Sequence, residues 1–259
     1  MGLSAPSRDP GMSTAVRVDR DARGVVVVTL DGPATRNAVG TAALAALDEA
    51  LAAAFSDPAT RVVCLTGAGP AFCSGADRAE LDDGAALERS AALLGSALVR
   101  IDEAPVPVLC RVDGAAFGAG LALVAAADLA VATERAVFGV PEVRFGLVAG
   151  PAAAACARRM GVADMLDVFL TARRFDAAEA ARLRLVTSAV PGDILDRTIE
   201  GLVTELLLGD REAVRQTRRT VRELAGPALV QRLASAGYPV ARLARQGPGD
   251  RRDGPAGGQ

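Results

Sequence analysis

Two glycine-rich stretches are the parts of this sequence best placed to do chemistry. The first, AFCSGAD, covers residues 71–77, and the second, DGAAFGAGLALVAAAD, covers residues 113–128. Each follows a predicted strand and supplies small residues where a helix is predicted to begin. Backbone N–H groups in the first turn of a helix lack intrahelical partners, so two of them aimed at one point would hold an oxygen that becomes negative. The alternative is that the small residues only allow close packing of helix on strand.

The composition excludes several catalytic devices. The 259 residues include no histidine, and all 29 basic residues are arginine. A Ser-His-Asp or Cys-His arrangement, a histidine metal site and a lysine nucleophile are therefore ruled out. The cysteines lie far apart without a CxxC pair, which predicts free thiols and neither a zinc site nor a disulfide framework, for Cys64, Cys73, Cys110 and Cys156.

Charge and hydropathy patterns bear on partners and location. A net charge of -2 and a pI near 5.4 argue against a nucleic-acid binder, because such a protein must neutralise phosphates. The N-terminal residues contain no apolar core of signal-peptide length, and no run of about 18 apolar residues is free of charge or glycine. These patterns, together with the free thiols, predict a cytoplasmic protein that has no membrane segment.

Hydrophobic periodicity predicts the elements that must position the two stretches. Two strands flank a turn at residues 21–24, and apolar runs predict more strands at RVVCLTG, VPVLCRVDG, LAVAT and AVFG. Helices are predicted at TAALAALDEALAAAF, with Thr41 as its cap, in a segment ending near Arg100, and at LALVAAAD. Helices that fold back repeatedly on strands indicate the α/β class, with β-β-α units rather than a plain Rossmann alternation.

Four segments are expected along the chain. A flexible leader covers residues 1–15, an α/β core residues 16–190, a helical C-terminal region residues 191–245 and a flexible tail residues 246–259. The tail prediction follows from QGPGDRRDGPAGGQ, which is rich in glycine and charge. Helices whose outer faces still carry large apolar residues favour packing against another subunit, so the helical region is expected to serve oligomerisation.

The order of four motifs resembles the crotonase (enoyl-CoA hydratase/isomerase) superfamily. PATRNA, TGAGPAFCSGAD, VDGAAFGAGLAL and FGVPEVRFGL follow one another within a resemblance that spans roughly residues 16 to 245. The resemblance implies a crotonase-like spiral of β-β-α units with a helical C-terminal region. It also implies an acyl-CoA substrate with no separate cofactor and no metal, and assembly into a homotrimer or a dimer of trimers.

The resemblance gives the two glycine-rich stretches a shared role. The N–H groups of Ala76 in the first stretch and of Ala119 in the second, next to Gly118, would hold the thioester oxygen of an acyl-CoA. Moving a proton beside a thioester carbonyl builds enolate charge on that oxygen, and preorganised donors lower the barrier. The CoA channel would be lined by residues of TRNA and SGADR, namely Arg36, Ala38, Ser74, Asp77 and Arg78, although exposed arginines are also common as solvated surface residues.

One carboxylate stands where hydratases of this family have two. Aligned on the motifs, the first glutamate position falls on Ala122, while FGVPE supplies the second as Glu142. The resemblance implies that Glu142 is the acid/base group, in a largely apolar pocket that raises its pKa. A carboxylate stabilised only by a nearby helix dipole is the alternative.

Several activities stay open with a single carboxylate. It can shuttle a proton between C2 and C4 of an enoyl-CoA, as isomerases of the superfamily do, or support hydration. The run FGVPEVRFGLV also resembles methylglutaconyl-CoA hydratases and polyketide-associated decarboxylases, in which Arg144 would meet a substrate carboxylate; a structural ion pair is the other possibility for this residue. The loss of the first glutamate leaves open a non-catalytic acyl-CoA-binding protein. Asp128 and Cys73 are expected to be structural.

Overall fold

The computed structural model describes residues 13–236, which contain a six-stranded sheet. Its strands are β1 (Ala15–Arg20), β2 (Val25–Asp31), β3 (Val62–Gly67), β5 (Val108–Val112), β7 (Leu129–Thr133) and β10 (Ser188–Val190). They lie in the order β1-β2-β3-β5-β7-β10, and only the β1–β2 pair is antiparallel. Parallel strands covered on both faces require continuous apolar runs, which VVVVTLD and VVCLTG supply.

A second, four-stranded sheet is built from short strands that follow the long ones. Its strands are β4 (Ala71–Cys73), β6 (Ala115–Phe117), β8 (Val137–Gly139) and β9 (Phe175–Asp176), in the order β4-β6-β8-β9. Because β3 leads to β4, β5 to β6 and β7 to β8, each turn of the chain adds one strand to each sheet. The predicted spiral of β-β-α units is confirmed.

Helices cover the sheets and form the core. They are α1 (Thr41–Ser56), α2 (Gly84–Asp102), α3 (Ala119–Ala126) and α4 (Gly150–Cys156). Helix α1 packs on α2 through Leu44, Leu47 and Leu51, which recur at the helical spacing. All residues of α3 are buried, as expected for a helix that is apolar on every side.

Two local predictions about helix starts were wrong. Gly40, not Thr41, is the N-cap residue of α1, and the Thr41 hydroxyl lies within hydrogen-bonding distance of Glu80 and Ser90 instead. The first glycine-rich stretch does not open a long helix. It leads into a short 3-10 turn, Arg78–Glu80, and α2 begins only at Gly84, where the Asp83 carboxylate accepts hydrogen bonds from the first helical N–H groups.

The C-terminal half is mostly helical, as predicted, with α5 (Val162–Thr171), α6 (Ala177–Arg182), α7 (Leu195–Leu208), α8 (Arg211–Leu224) and α9 (Leu229–Ser235). Helix α8 is attached to the core by ion pairs. Arg218 and Arg222 both bind Asp128, and Arg222 also pairs with the buried Asp102. The structural role expected for Asp128 is found, since its carboxylate additionally accepts the N–H of Val108 at 2.8 Å.

Removing the charge of Asp128 is expected to destabilise the fold. Burial alone would raise the pKa of Asp128, but the charges of Arg218 and Arg222 outweigh it and hold the pKa below its usual value. Asp128→Asn leaves Arg218 without its carboxylate partner and Arg222 with Asp102 alone, which costs about 3–5 kcal/mol of unfolding free energy. Since the folded-state pKa is lowered, this stabilisation is present above the unfolded pKa of about 3.9 and is lost as the pH falls through the folded value.

Urea unfolding at pH 7 and at pH 3 measures both effects. Asp196→Asn is the matched control, because Asp196 pairs with Arg111 while its own side chain is 81% exposed. That variant is expected to lose less than about 1 kcal/mol. Equal unfolding midpoints for the two variants at pH 7 would show that the Asp128 cluster does not fasten α8.

The predicted segment boundaries stay a prediction. Strand β1 starts inside the predicted leader, and the hydroxyl of Thr14 donates to the carbonyl of Ala38 at 2.6 Å. The rest of the leader, residues 237–245 of the predicted helical region and the tail lie outside the described residues. Helix α5 exposes Val162, Leu166 and Leu170, a surface suited to the expected subunit association, which stays a prediction. Between residues 13 and 236, no helix combines the length and apolar character needed to cross a membrane.

Candidate active site

The first glycine-rich stretch holds Ala76 at the surface of a pocket. The residues on either side are pinned to the segment before α1, because Val39 donates to the carbonyl of Gly75 at 2.9 Å and accepts from Asp77 at 3.0 Å. Gly75 makes the turn with φ +98°, which side-chain-bearing residues rarely adopt. Within residues 13–236 the N–H of Ala76 donates no hydrogen bond, so it is available to an oxygen in the pocket.

Asn37 fastens this stretch, and the sequence reasoning missed it. Its side chain is fully buried, and the two amide hydrogens are shared among the carbonyls of Ala68, Ala71 and Phe72 at 2.9, 2.7 and 3.2 Å. Its side-chain carbonyl oxygen accepts the N–H of Gly32 at 2.8 Å. Asn37 also has φ +56°, which asparagine tolerates better than most residues. An asparagine four residues after a Gly-Pro pair was the available signal.

The second glycine-rich stretch brings a helix N-terminus to the same pocket. Gly118 precedes α3 with φ +50° and donates to the carbonyl of Gly139 at 3.1 Å. Ala119 is the first helical residue, and its N–H has no partner in the described part of the chain. A Cβ on Gly118 would lie 2.5 Å from Oε1 of Glu142. The glutamate carboxylate therefore rests directly against the backbone of this turn.

Glu142 begins the short 3-10 helix Glu142–Phe145 that follows β8. Its Oε2 is buried and has no hydrogen-bond partner among the described residues. Burial raises the pKa of Glu142, and the opposing effect of its own backbone N–H does not cancel this. The apolar surroundings and the raised pKa expected for Glu142 are both found. A buried carboxylate oxygen without a hydrogen-bond partner is costly, so Glu142 is a strong candidate for proton transfer.

These groups line one pocket of about 190 Å³. Ala76, Gly118, Ala119 and Glu142 contribute from three separate segments. Most of the remaining wall is apolar and comes from the segment before α1, α1 itself, α2, the loop after the 3-10 helix and α4, through residues such as Val39, Leu44, Leu87, Leu94, Leu147 and Pro151. Glu142 and Ser90 are the two polar side chains among the lining residues.

The other predicted binding residues lie beside the pocket rather than on its wall. Arg36 and Arg78 are exposed, whereas Ala38 is buried. The Ser74 hydroxyl donates to the carbonyl of Thr35 at 3.1 Å. Asp77 accepts the N–H of Ala79 at 3.0 Å, which caps the 3-10 turn. None of these residues is among those that line the pocket.

Within the part of the chain that the structure describes, Arg144 does not form the structural ion pair that was its alternative role, and its contact with a substrate carboxylate stays a prediction. Its guanidinium donates to the carbonyl of Thr171 at 3.3 Å, and it forms no ion pair with any residue in the described range 13–236. The side chain is exposed and is absent from the pocket wall, because the 3-10 helix that turns Glu142 inward turns Arg144 outward.

Ala122 supplies no second carboxylate, and no other pocket-lining residue between 13 and 236 replaces it. Ala122 is fully buried within α3. Ser90 on α2 forms a cluster of polar side chains with Glu80 and Thr41. The sequence did not indicate this cluster. Contacts between residues so far apart in the chain leave no local pattern.

The thiols are buried and protonated. Burial raises the pKa of Cys64 to about 11 and those of Cys73 and Cys156 to about 12, and it also raises the pKa of Cys110. Cys73 packs against Gly120, where an added Cβ would lie 2.8 Å from the cysteine Cβ. The packing role expected for Cys73 is found.

Comparison with known proteins identifies the family. Residues 20–236 match the family model described as enoyl-CoA hydratase/isomerase. A probable enoyl-CoA hydratase of Mycobacterium tuberculosis is 30% identical over 80% of both chains, and one of Rhodobacter capsulatus is 40% identical over 65% of this chain and 66% of its own. The crystal structure of an enoyl-CoA hydratase from Mycobacterium smegmatis superposes with a TM-score of 0.78 at 32% identity, covering 90% of this chain and 91% of the other. With this match over most of its length, the chain belongs to the enoyl-CoA hydratase/isomerase family.

Proposed function

We propose that this protein transfers a proton beside the thioester carbonyl of an enoyl-CoA, with Glu142 as the acid/base group. The observation that carries the proposal is the juxtaposition of a buried carboxylate oxygen lacking a hydrogen-bond partner with two unpaired N–H groups in one pocket, among the described residues. The family match supports a CoA thioester as substrate.

Each group has a defined task in this reaction. The N–H groups of Ala76 and Ala119 bind the thioester oxygen, and α3 directs the positive end of its dipole to the same point. As Glu142 removes a proton from C2, the electron pair moves onto that oxygen, where the two donors stabilise it. One such donor is worth about 2.7–4 kcal/mol in the transition state.

A single carboxylate is sufficient for double-bond migration. Glu142 takes the proton from C2 of a 3-enoyl-CoA and returns it to C4, which yields the 2-enoyl-CoA without any further acid or base. The lining of the pocket favours this reaction, because Glu142 carries the only carboxylate among the described residues that line the pocket. Burial raises the pKa of Glu142, which makes the carboxylate a stronger base for taking the proton from C2.

Hydration is the second candidate, favoured by the names of the relatives. In this reaction Glu142 would take a proton from a water molecule as the water oxygen attacks C3, and would then deliver that proton to C2. No second carboxylate would hold the water.

Incubation with crotonyl-CoA and with a 3-enoyl-CoA in deuterated water separates these candidates by mass spectrometry. Conversion of the 3-enoyl thioester without an increase in mass from added water is the expected result. Hydration of crotonyl-CoA would assign the second candidate. Binding of acyl-CoA without turnover of either thioester would overturn the proposal and leave a binding protein.

A further inference from the structure

The pocket wall carries one hydroxyl group that the proposed reaction does not use. Ser90 lies in the middle of α2, is 6% exposed and faces a pocket whose other wall residues are apolar except for Glu142. A buried hydroxyl on an apolar wall needs partners. Ser90 finds them behind the wall, in the Glu80 carboxylate and the Thr41 hydroxyl.

Glu80 is itself held in place from two directions. Its oxygens accept the N–H of Thr41 at 2.8 and 3.0 Å, at the N-terminus of α1, where the helix dipole favours a negative charge. The Thr41 hydroxyl lies 3.1 Å from the carboxylate and 3.0 Å from Oγ of Ser90. The carboxylate thus has a fixed position against which the serine hydroxyl is oriented.

The hydrogen count decides what Ser90 can offer the pocket. A serine hydroxyl has one hydrogen and two lone pairs, and a carboxylate can only accept. Ser90 gives its hydrogen to Glu80, so it has none left for a ligand. Even if the Thr41 hydroxyl donates to Ser90, one lone pair of the serine oxygen remains without a donor. Towards the pocket Ser90 is therefore an acceptor and not a donor.

We propose that Ser90 is a specificity residue that accepts a hydrogen bond from a hydroxyl group on the acyl chain. The site then prefers hydroxylated acyl thioesters to plain ones, and it disfavours an oxo group at the same position, because two acceptors would face each other. The inference rests on the proposed function in one respect, namely that the acyl chain occupies this pocket.

Calorimetric titration with the CoA thioesters of hexanoate, 5-hydroxyhexanoate and 6-hydroxyhexanoate tests the preference. The wild-type protein is expected to bind at least one hydroxylated thioester about tenfold more tightly than hexanoyl-CoA, the worth of one good buried hydrogen bond. Ser90→Ala is expected to bring that ratio to about one.

Ser96→Ala is the matched control. Ser96 lies on the same helix, is buried, and donates to the carboxylate of Asp48 at 2.9 Å, but it does not line the pocket. This variant should keep the wild-type ratio. If the ratio is the same in wild type and Ser90→Ala, or if no hydroxylated thioester is preferred, the inference is wrong. Failure of every thioester to bind would instead refute the proposed function.

Glu80→Gln provides a second readout in case Ser90→Ala folds poorly. A glutamine amide can donate to Ser90 and so release the serine hydrogen towards the pocket. The thioester of 5-oxohexanoate, which can only accept at C5, is expected to gain affinity in this variant. A lower hydration rate in Ser90→Ala with unchanged binding ratios would show that the Ser90 oxygen accepts a hydrogen bond from a water molecule instead. This result would overturn the specificity role.

Discussion

Glu142→Gln is expected to reduce turnover about 10²- to 10⁴-fold while acyl-CoA binding persists. Glutamine keeps the shape of the side chain but cannot accept and return a proton. The backbone donors of Ala76 and Ala119 are untouched by the change, so the thioester should still bind. Steady-state kinetics on the 3-enoyl-CoA, with calorimetry for binding, measure the two effects separately.

The pH dependence of the wild-type enzyme provides a second signature of Glu142. The carboxylate must be ionised to remove a proton, and burial raises its pKa, so activity is expected to fall at a higher pH than for an ordinary glutamate as the solution is acidified. The same shift means that ionisation of Glu142 opposes folding as the pH rises through the raised pKa. The glutamine variant should therefore unfold at neutral pH at a temperature no lower than that of the wild type.

Glu134→Gln is the control, since Glu134 is exposed in the turn between β7 and β8. It should retain wild-type turnover and pH dependence. Equal turnover in Glu142→Gln and wild type would remove Glu142 from the mechanism and refute the proposed function.

Gly118→Ala is expected to reduce kcat/KM about 100-fold and to lower stability by about 1–3 kcal/mol. Two causes act together. At φ +50° an alanine is strained, and its Cβ would lie 2.5 Å from Oε1 of Glu142, so the carboxylate must move. Because Ala119 follows directly, a shift of this turn also moves one of the two N–H donors.

Gly226→Ala is the control that separates the effect of backbone strain from the effect of a contact with Glu142. Gly226 has φ +111° between α8 and α9, but an added Cβ there would meet no atom within 4 Å. This control should lose stability through strain while keeping kcat/KM within about twofold. If Gly118→Ala matched Gly226→Ala in kcat/KM, the contact between the turn and the carboxylate would have no catalytic importance.

Much of the fold could be predicted because its long strands and helices have strong local signals. The run VVVVTLD and the all-apolar α3 have patterns that leave few alternatives. The strand Ala71–Cys73 has no sequence signal, since three residues are too few to show a period, and its strand conformation depends on pairing with β6. The second sheet is therefore a product of tertiary contacts and is largely absent from local sequence patterns.

The candidate site also contains residues that could be predicted from the sequence and residues that could not. Ala76, Ala119 and Glu142 could be predicted because each lies in a motif of the family. The support behind them could not, since Asn37 acts on carbonyls about 30 residues later in the chain and Glu80 caps a helix that begins 39 residues before it. Such contacts follow from how the spiral stacks its turns. Arg144 shows what a motif leaves open, because the motif position defines the residue type but not the direction of its side chain.

The burial of the thiols has a consequence for the proposed reaction on acyl thioesters. Thioesters acylate amines and thiolates without any catalyst, and repeated exposure modifies proteins at lysine and cysteine side chains. This chain contains no lysine, and its four cysteines are buried with pKa values raised by burial, so very little thiolate exists near neutral pH. The protein thus offers the proposed acyl-CoA substrates almost no side chain to acylate, and it should remain unmodified at acyl-CoA concentrations that label lysine-rich proteins.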